Sequence, residues 1–161
     1  MVPQSLLQVD VVMTAYATAV ADAKLRKVLQ QVEWFRVVLE EAHWIRNQQS
    51  KLFETVCILH TSRRWCFTGA PVQNRLEDLV PLLKFLRFEP FSETASFRHH
   101  IIIPLGDEEN TNRFQPLQTL LWSVCIRRMQ NILDTPAPEY REIRLLQSPA
   151  FYHDSEAQEA L

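Results

Sequence analysis

An α/β fold, a parallel sheet flanked by helices, is predicted by three features of this 161-residue chain. Short β-branched apolar runs alternate with longer amphipathic stretches, the order that βαβ units require. The runs lack polar alternation, which suits strands covered on both faces. The composition, 47% hydrophobic and 22% charged at a formal net charge of −2, is that of one globular domain.

Val9-Asp10-Val11-Val12-Met13-Thr14 is the first predicted strand. Residues 17–32, rich in Ala, Leu, Lys and Gln, follow as a helix with Val20, Leu25, Val28, Leu29 and Val32 apolar. Phe35-Arg36-Val37-Val38-Leu39 is a second strand, ending in Glu40-Glu41. Residues 48–60 read as a helix carrying Leu52, Phe53, Val56, Ile58 and Leu59 on one side. Arg64-Trp65-Cys66-Phe67-Thr68 is a third strand, stopped by Gly69-Ala70-Pro71. Leu76, Leu79, Leu82, Leu83 and Leu86 mark a further helix that gives way near Pro90, with Pro81 as a kink or a first-turn residue.

The second half changes character. Residues 92–112 show little periodicity apart from Ile101-Ile102-Ile103, and Gly106-Asp107-Glu108-Glu109-Asn110 reads as a solvated loop. A helix is expected from Phe114, with Leu117, Leu120, Leu121, Val124, Cys125 and Ile126 facing inward and Arg127-Arg128 closing the run. Pro136 and Pro138 then precede an extended segment over residues 140–146.

Composition excludes several function classes. Only two glycines are present, Gly69 and Gly106, where average usage would supply ~11. Neither a P-loop nor a dinucleotide fingerprint can be written with them, because both need closely spaced glycines that let backbone N–H groups approach phosphates. Cys57, Cys66 and Cys125 are an odd number without a C-x-x-C pair, and read as reduced, intracellular core residues. No apolar run is long enough for a membrane span, and the first residues lack the order of a signal peptide. A near-neutral charge argues against autonomous nucleic-acid binding. Basic residues cluster only locally, at Arg63-Arg64, Arg98-His99-His100 and Arg127-Arg128. Trp34, Trp44, Trp65 and Trp122 are read as core residues, and His43, His99 and His100 lack partners at metal-ligand spacing.

Three constellations could carry chemistry. Glu40-Glu41-Ala42-His43 follows a strand, and ligands in open α/β sheets bind beyond strand carboxyl ends. One carboxylate there could hold hydrated Mg²⁺ while its neighbour orients an attacking water; a solvated turn would carry the same residues. Thr68-Gly69-Ala70-Pro71-Val72-Gln73-Asn74 also follows a strand, and suits either a ligand-coupled loop or a plain helix entry. Arg127-Arg128 could grip a phosphate or carboxylate, or simply complement a helix dipole.

In combination these segments are more specific. Trp34-Phe35-Arg36-Val37-Val38-Leu39-Glu40-Glu41-Ala42-His43-Trp44-Ile45-Arg46-Asn47 resembles the Walker B (DEAH-type) motif of the Snf-two family of helicase-like, DNA-translocating ATPases. The stretch from Arg64 through Thr68-Gly69-Ala70-Pro71-Val72-Gln73-Asn74 to Leu79 resembles its motif III, and the similarity continues to Phe91. Val11-Val12-Met13-Thr14-Ala15-Tyr16 is similar to the family's DNA-contacting strand motif, and Cys125-Ile126-Arg127-Arg128-Met129 to a segment near the end of its first lobe. The resemblance spans roughly residues 9–148 and is nearest in flavour to the repair-linked branch with helicase-like transcription factor.

The resemblance implies a partial RecA-like lobe over residues 1–148, lacking the P-loop strand, with residues 149–161 opening the connection to a second lobe. It implies ATP and Mg²⁺ as cofactors, double-stranded DNA as partner and the nucleus as location. By position, Glu40 would hold the Mg²⁺ water shell and Glu41 would polarise the attacking water. Thr68, Gly69, Gln73 and Asn74 would couple nucleotide state to lobe movement, Thr14 and Tyr16 would approach DNA, and Arg127 and Arg128 would lie near the interlobe hinge. Glu40 stands where the family usually has Asp, moving the carboxylate by about 1.5 Å and predicting weaker Mg²⁺ binding. Ala70 and Met129 each replace a hydroxyl residue. With the phosphate loop and the second lobe's arginine finger outside these residues, the chain alone is expected not to hydrolyse ATP appreciably. The strand from Arg64 would be left as an open edge, making the chain marginal or aggregation-prone unless a protein partner covers it. A non-enzymatic interaction module, an inert fragment and a metal-dependent hydrolase using Glu40 and Glu41 are the rival readings.

Overall fold

The computed structural model describes residue 6 and residues 8–127. Arg128, Met129, the segment predicted over 140–146 and the expected 148/149 boundary lie outside the described residues. The chain divides into two compact units, Met1–Thr119 and Leu120–Leu161.

Four short strands form, β1 (Glu33–Trp34), β2 (Val37–Leu39), β3 (His60–Thr61) and β4 (Arg64–Cys66). β1 pairs in parallel with β3 and β2 with β4. Glu33 lies opposite His60 and Val37 opposite Arg64, an offset of 27 residues in both (60 − 33 and 64 − 37). The two ladders therefore form one parallel strand pair, interrupted for two residues and rejoined in register by the amide of Val37 donating to the carbonyl of Arg63 at 2.9 Å. The predicted second and third strands are thus present, and the third is extended backwards to His60, the last residue assigned to a helix.

Helix α1 (Tyr16–Leu25) is shorter than predicted. Asp22 ends it: its carbonyl accepts the amides of Arg26 and Lys27, and its carboxylate those of Val28 and Leu29, at 3.1 and 2.9 Å. Lys27 takes a left-handed conformation at φ 54°, and a short 3₁₀ turn (Leu29–Gln31) follows. Leu25, one of the apolar positions of the predicted helix, is exposed.

Helix α2 (Lys51–Cys57) begins where Ser50 Oγ accepts the Phe53 amide at 3.1 Å, a side-chain N-cap. Its carbonyl end is met by Arg64, whose guanidinium donates to Val56, Cys57 and Leu59 carbonyls while stacking 4.9 Å from the Phe85 ring centroid. Helix α3 (Leu79–Leu86) places Pro81 in its first turn, where the missing N–H is not needed, so no kink results. It ends in a left-handed Arg87 at φ 57°, with the Phe88 amide reaching back to the Leu83 carbonyl at 3.0 Å.

Leu39 from β2, Ala42, Ile45, Phe53 and Val56 from α2, and Leu82 and Phe85 from α3 form the core, with Tyr16, Val37 and Cys66 packed against it. Helices therefore cover one face of the parallel pair.

Several expectations are corrected. Residues 9–14 form no strand, and Val11 and Met13 are 74% and 66% exposed. A strand needs a neighbour for its backbone donors and acceptors, and among the described residues the other strands pair only with one another. Residues 94–106 are helical, as α4 (Thr94–Phe97), a π-type turn (Arg98–Ile102) and α5 (Ile103–Gly106). The apolar positions Phe97 and Ile101 supply a buried i, i+4 pair too short to show as periodicity. Helix α6 (Gln115–Val124) buries Leu120, but Cys125 and Ile126 lie past its end and are exposed. Ile58 is exposed because α2 stops before it. Cys57 and Cys66 are half-buried, and Trp44, Trp65 and Trp122 are exposed rather than core.

Candidate functional site

Parallel strands deliver both their carboxyl ends to one side. Leu39 lies opposite Cys66, so the turn after β2 and the loop after β4 leave the sheet together. The Phe67 amide donates to the Leu39 carbonyl at 2.8 Å, and the Ala42 amide to the Phe67 carbonyl at 2.9 Å. Between them Glu41 adopts a left-handed conformation, φ 50° and ψ 48°, which turns the chain sharply into a 3₁₀ segment (Ala42–Arg46) anchored by fully buried Ala42 and Ile45. A non-glycine residue there is strained by roughly 1–2 kcal/mol.

His43 joins the two exits. Its Nδ1 lies 3.2 Å from Glu41 Oε2 and 3.4 Å from Thr68 Oγ1. The imidazole thus stands within ion-pair reach of the Glu41 carboxylate and hydrogen-bond reach of the Thr68 hydroxyl. Thr68 Oγ1 also accepts the Ala70 amide at 3.2 Å, tightening the loop. A second link runs from Arg46, whose guanidinium donates to the side-chain carbonyl of Gln73. The amides of Gln73, Asn74 and Arg75 converge on Asp78 Oδ2 at 3.1, 2.9 and 3.3 Å. These bonds, the Asn74 amide foremost, hold the Asp78 carboxyl below its ordinary pKa.

Tyr16, at the start of α1, donates its hydroxyl to the Glu40 carbonyl at 2.7 Å. Burial, with Cys66, Glu40 and Glu41 nearby, pushes its pKa up to about 12. Glu40 is exposed, with its backbone held and its carboxylate facing water. Gly69 is exposed, and a Cβ built on it meets nothing within 4 Å, so no packing or positive φ demands glycine there.

The structure thus brings together Tyr16, Glu40, Glu41, Thr68, Gln73 and Asn74. Thr14 is exposed and bonds only to the neighbouring Ala15 carbonyl, at 3.4 Å. Arg127 is exposed and belongs to the second unit. Sequence reasoning missed His43, Arg46 and Asp78 as connecting residues. His43 stands in the Glu40–His43 run without any local sign of its contact with Thr68, whereas Asp78, three positions beyond Arg75 before an apolar run, carries an N-terminal helix signal. Among the described residues no group of three or more His, Cys, Asp and Glu is placed to hold a metal ion, and no helix is long and apolar enough to cross a membrane.

Residues 2–149 match the model of the SNF2-related domain. Over 124 residues the chain is 40% identical to "Putative SWI/SNF-related matrix-associated actin-dependent regulator of chromatin subfamily A member 3-like 1" of Arabidopsis thaliana, a match covering 76% of this chain and 14% of that protein. It is 37% identical over 136 residues to "DNA repair protein RAD5A" of the same plant, covering 80% of this chain and 13% of the relative. Among solved structures, "Sulfolobus solfataricus SWI2/SNF2 ATPase core in complex with dsDNA" superposes with a TM-score of 0.56 at 27% identity, over 70% of this chain and 23% of that one. The chain spans only a small part of the relatives it matches, and the RecA-like arrangement of helices on parallel strands is the fold it shares with the ATPase core. With its motif order, its parallel β2–β4 exits and a match over nearly its whole length in agreement, the chain belongs to the SNF2-related domain family.

Proposed function

We propose that these residues are the Walker B and motif III part of a nuclear, ATP-driven DNA translocase of the chromatin-remodelling or DNA-repair kind, and that the 161 residues alone do not turn ATP over. The supporting observation is the Glu41–His43–Thr68 connection, which ties the carboxylate turn to the motif III loop. In this reading Glu40 sits at the Mg²⁺ water shell and Glu41 orients the attacking water, with His43 holding the Glu41 carboxylate. Thr68, Gly69, Gln73 and Asn74 report nucleotide state to the rest of the motor, Thr14 and Tyr16 lie on the DNA side, and Arg127 and Arg128 serve the hinge. The residues present fit one side of a Mg²⁺–nucleotide site. They include no glycine-rich cradle for the phosphates, so the chemistry Mg²⁺ supplies when bound, charge neutralisation on the phosphates, needs donors from other residues.

The test has two arms. ATP hydrolysis by the 161-residue chain, with and without duplex DNA, is expected at the blank level. Residues 9–127 exchanged into the archaeal ATPase core for the matching segment should support DNA-stimulated hydrolysis, and Glu41→Gln should lower it by roughly 10²–10⁴-fold. Turnover by the isolated chain, or a chimera indifferent to Glu41→Gln, overturns the reading.

A second reading, an interaction module built on the same lobe, is favoured by the open strand edges: β2 and β4 pair only with each other among the described residues.

A further inference from the structure

Three consecutive peptide units carry the chain from β2 into the turn, and each is held. The Leu39 carbonyl accepts the Phe67 amide at 2.8 Å, and the Ala42 amide donates to the Phe67 carbonyl at 2.9 Å. Between these anchors lies the peptide that joins Glu40 to Glu41, and its carbonyl is held by the Tyr16 hydroxyl at 2.7 Å. A trans peptide is rigid, so with its neighbours pinned it moves chiefly by turning ψ of Glu40 against φ of Glu41. Both torsions belong to Cα atoms that bear the acids, and φ of Glu41, at 50°, is in the strained left-handed region.

Tyr16 is well placed to hold that peptide still. It opens α1, and its ring is half-buried against the core cluster that includes Leu39, Ala42 and Ile45. A phenol has one proton to donate, and here it goes to a carbonyl. A phosphodiester oxygen only accepts, so this hydroxyl has no donor left for a DNA backbone. Thr14, by contrast, is exposed.

We propose that Tyr16 is a positioning residue for Glu40 and Glu41, latching the peptide between them and so keeping Glu41 in its left-handed turn, rather than a residue that contacts DNA. Without the hydroxyl the peptide rocks, the strain at Glu41 relaxes, and both carboxylates lose a fixed starting point. The proposal deepens the translocase reading, on which the roles of the two acids rest. The latch itself belongs to the folded chain, so it is testable without nucleotide or DNA.

The first experiment is a double-mutant cycle on the 161-residue chain, read as melting temperature, with circular dichroism to check that Tyr16→Phe is folded. Glu41→Gly should melt several degrees above Glu41→Ala. In the Tyr16→Phe background that gap should shrink by about half or more, because a freed peptide lets alanine leave the left-handed region. The second experiment uses the chimera with the archaeal ATPase core. There Tyr16→Phe should lower kcat at saturating DNA by roughly fivefold or more, with KM for ATP and the half-saturating DNA concentration within about twofold of the parent chimera. An unchanged melting gap or an unchanged kcat overturns the latch, as does a raised half-saturating DNA concentration with kcat intact, which would make Tyr16 a DNA contact. A chimera inactive before any substitution defeats the translocase reading alone, and the cycle then decides the latch by itself.

Discussion

The Tyr16 hydroxyl and the Glu40 carbonyl, 24 residues apart in sequence, are joined by a 2.7 Å hydrogen bond that fastens the first turn of α1 to the end of the β2 strand. The bond holds the backbone, not the carboxylate, of the residue expected at the metal water shell. It leaves the Glu40 side chain facing water while fixing where that side chain starts.

Tyr16→Phe should cost about 1 kcal/mol, the net value of one such bond, read by urea denaturation. The pH dependence has a definite sign. The folded pKa, about 12, lies above the ordinary value of 10, so unfolding is favoured once the unfolded tyrosine ionises. Stability from this group is whole below pH 10 and is lost as pH rises from 10 towards 12. The phenylalanine variant should show a shallower decline over that window, and an equal decline would refute the assignment.

Glu41 tests the strain at the turn. Glu41→Gly and Glu41→Ala both remove the carboxylate next to His43, so their difference isolates the left-handed backbone. The glycine variant should be the more stable of the two by about 1 kcal/mol, a gap of several degrees in melting temperature.

Asp78 organises the motif III loop. Asp78→Ala should speed amide exchange at Gln73, Asn74 and Arg75 and cost about 1 kcal/mol, as loss of a helix cap does. Its pKa is depressed, so its contribution is present above the ordinary value of 3.8 and fades as pH falls through the lower, folded value. Exchange rates at the three amides that do not change on substitution would contradict this.

Phe85 and Phe35 make a contrasting pair. Phe85 is buried at 1% exposure beneath Arg64, and Phe85→Ala should cost about 3–5 kcal/mol, a large share of a small domain's stability. Phe35 is exposed, and Phe35→Ser should stay within about 0.5 kcal/mol in a thermal melt.

The second and third strands, the α3 helix and the two turns that follow strands were legible because each is a short-range pattern: β-branched runs, a leucine repeat, a Gly-Ala-Pro stop. Residues 9–14 carried the same local pattern and yet form no strand, since pairing depends on what lies alongside and not on the run itself. The helix over residues 94–106 was hidden because its buried positions are few and a π-type turn breaks the 3.6-residue period.

The order of the chemical groups, acids after β2 and a hydroxyl, glycine and amide run after β4, was determined by the sequence by itself, as was the absence of a glycine cradle among these residues. Only the tertiary structure decided that the strands pair with one constant offset, that His43 bridges the two loops, and that Tyr16 holds a backbone carbonyl distant in sequence. Each of those is a contact between segments whose separation along the chain carries no trace in local composition. Burial and register make them, and both arise only when helices and strands pack together.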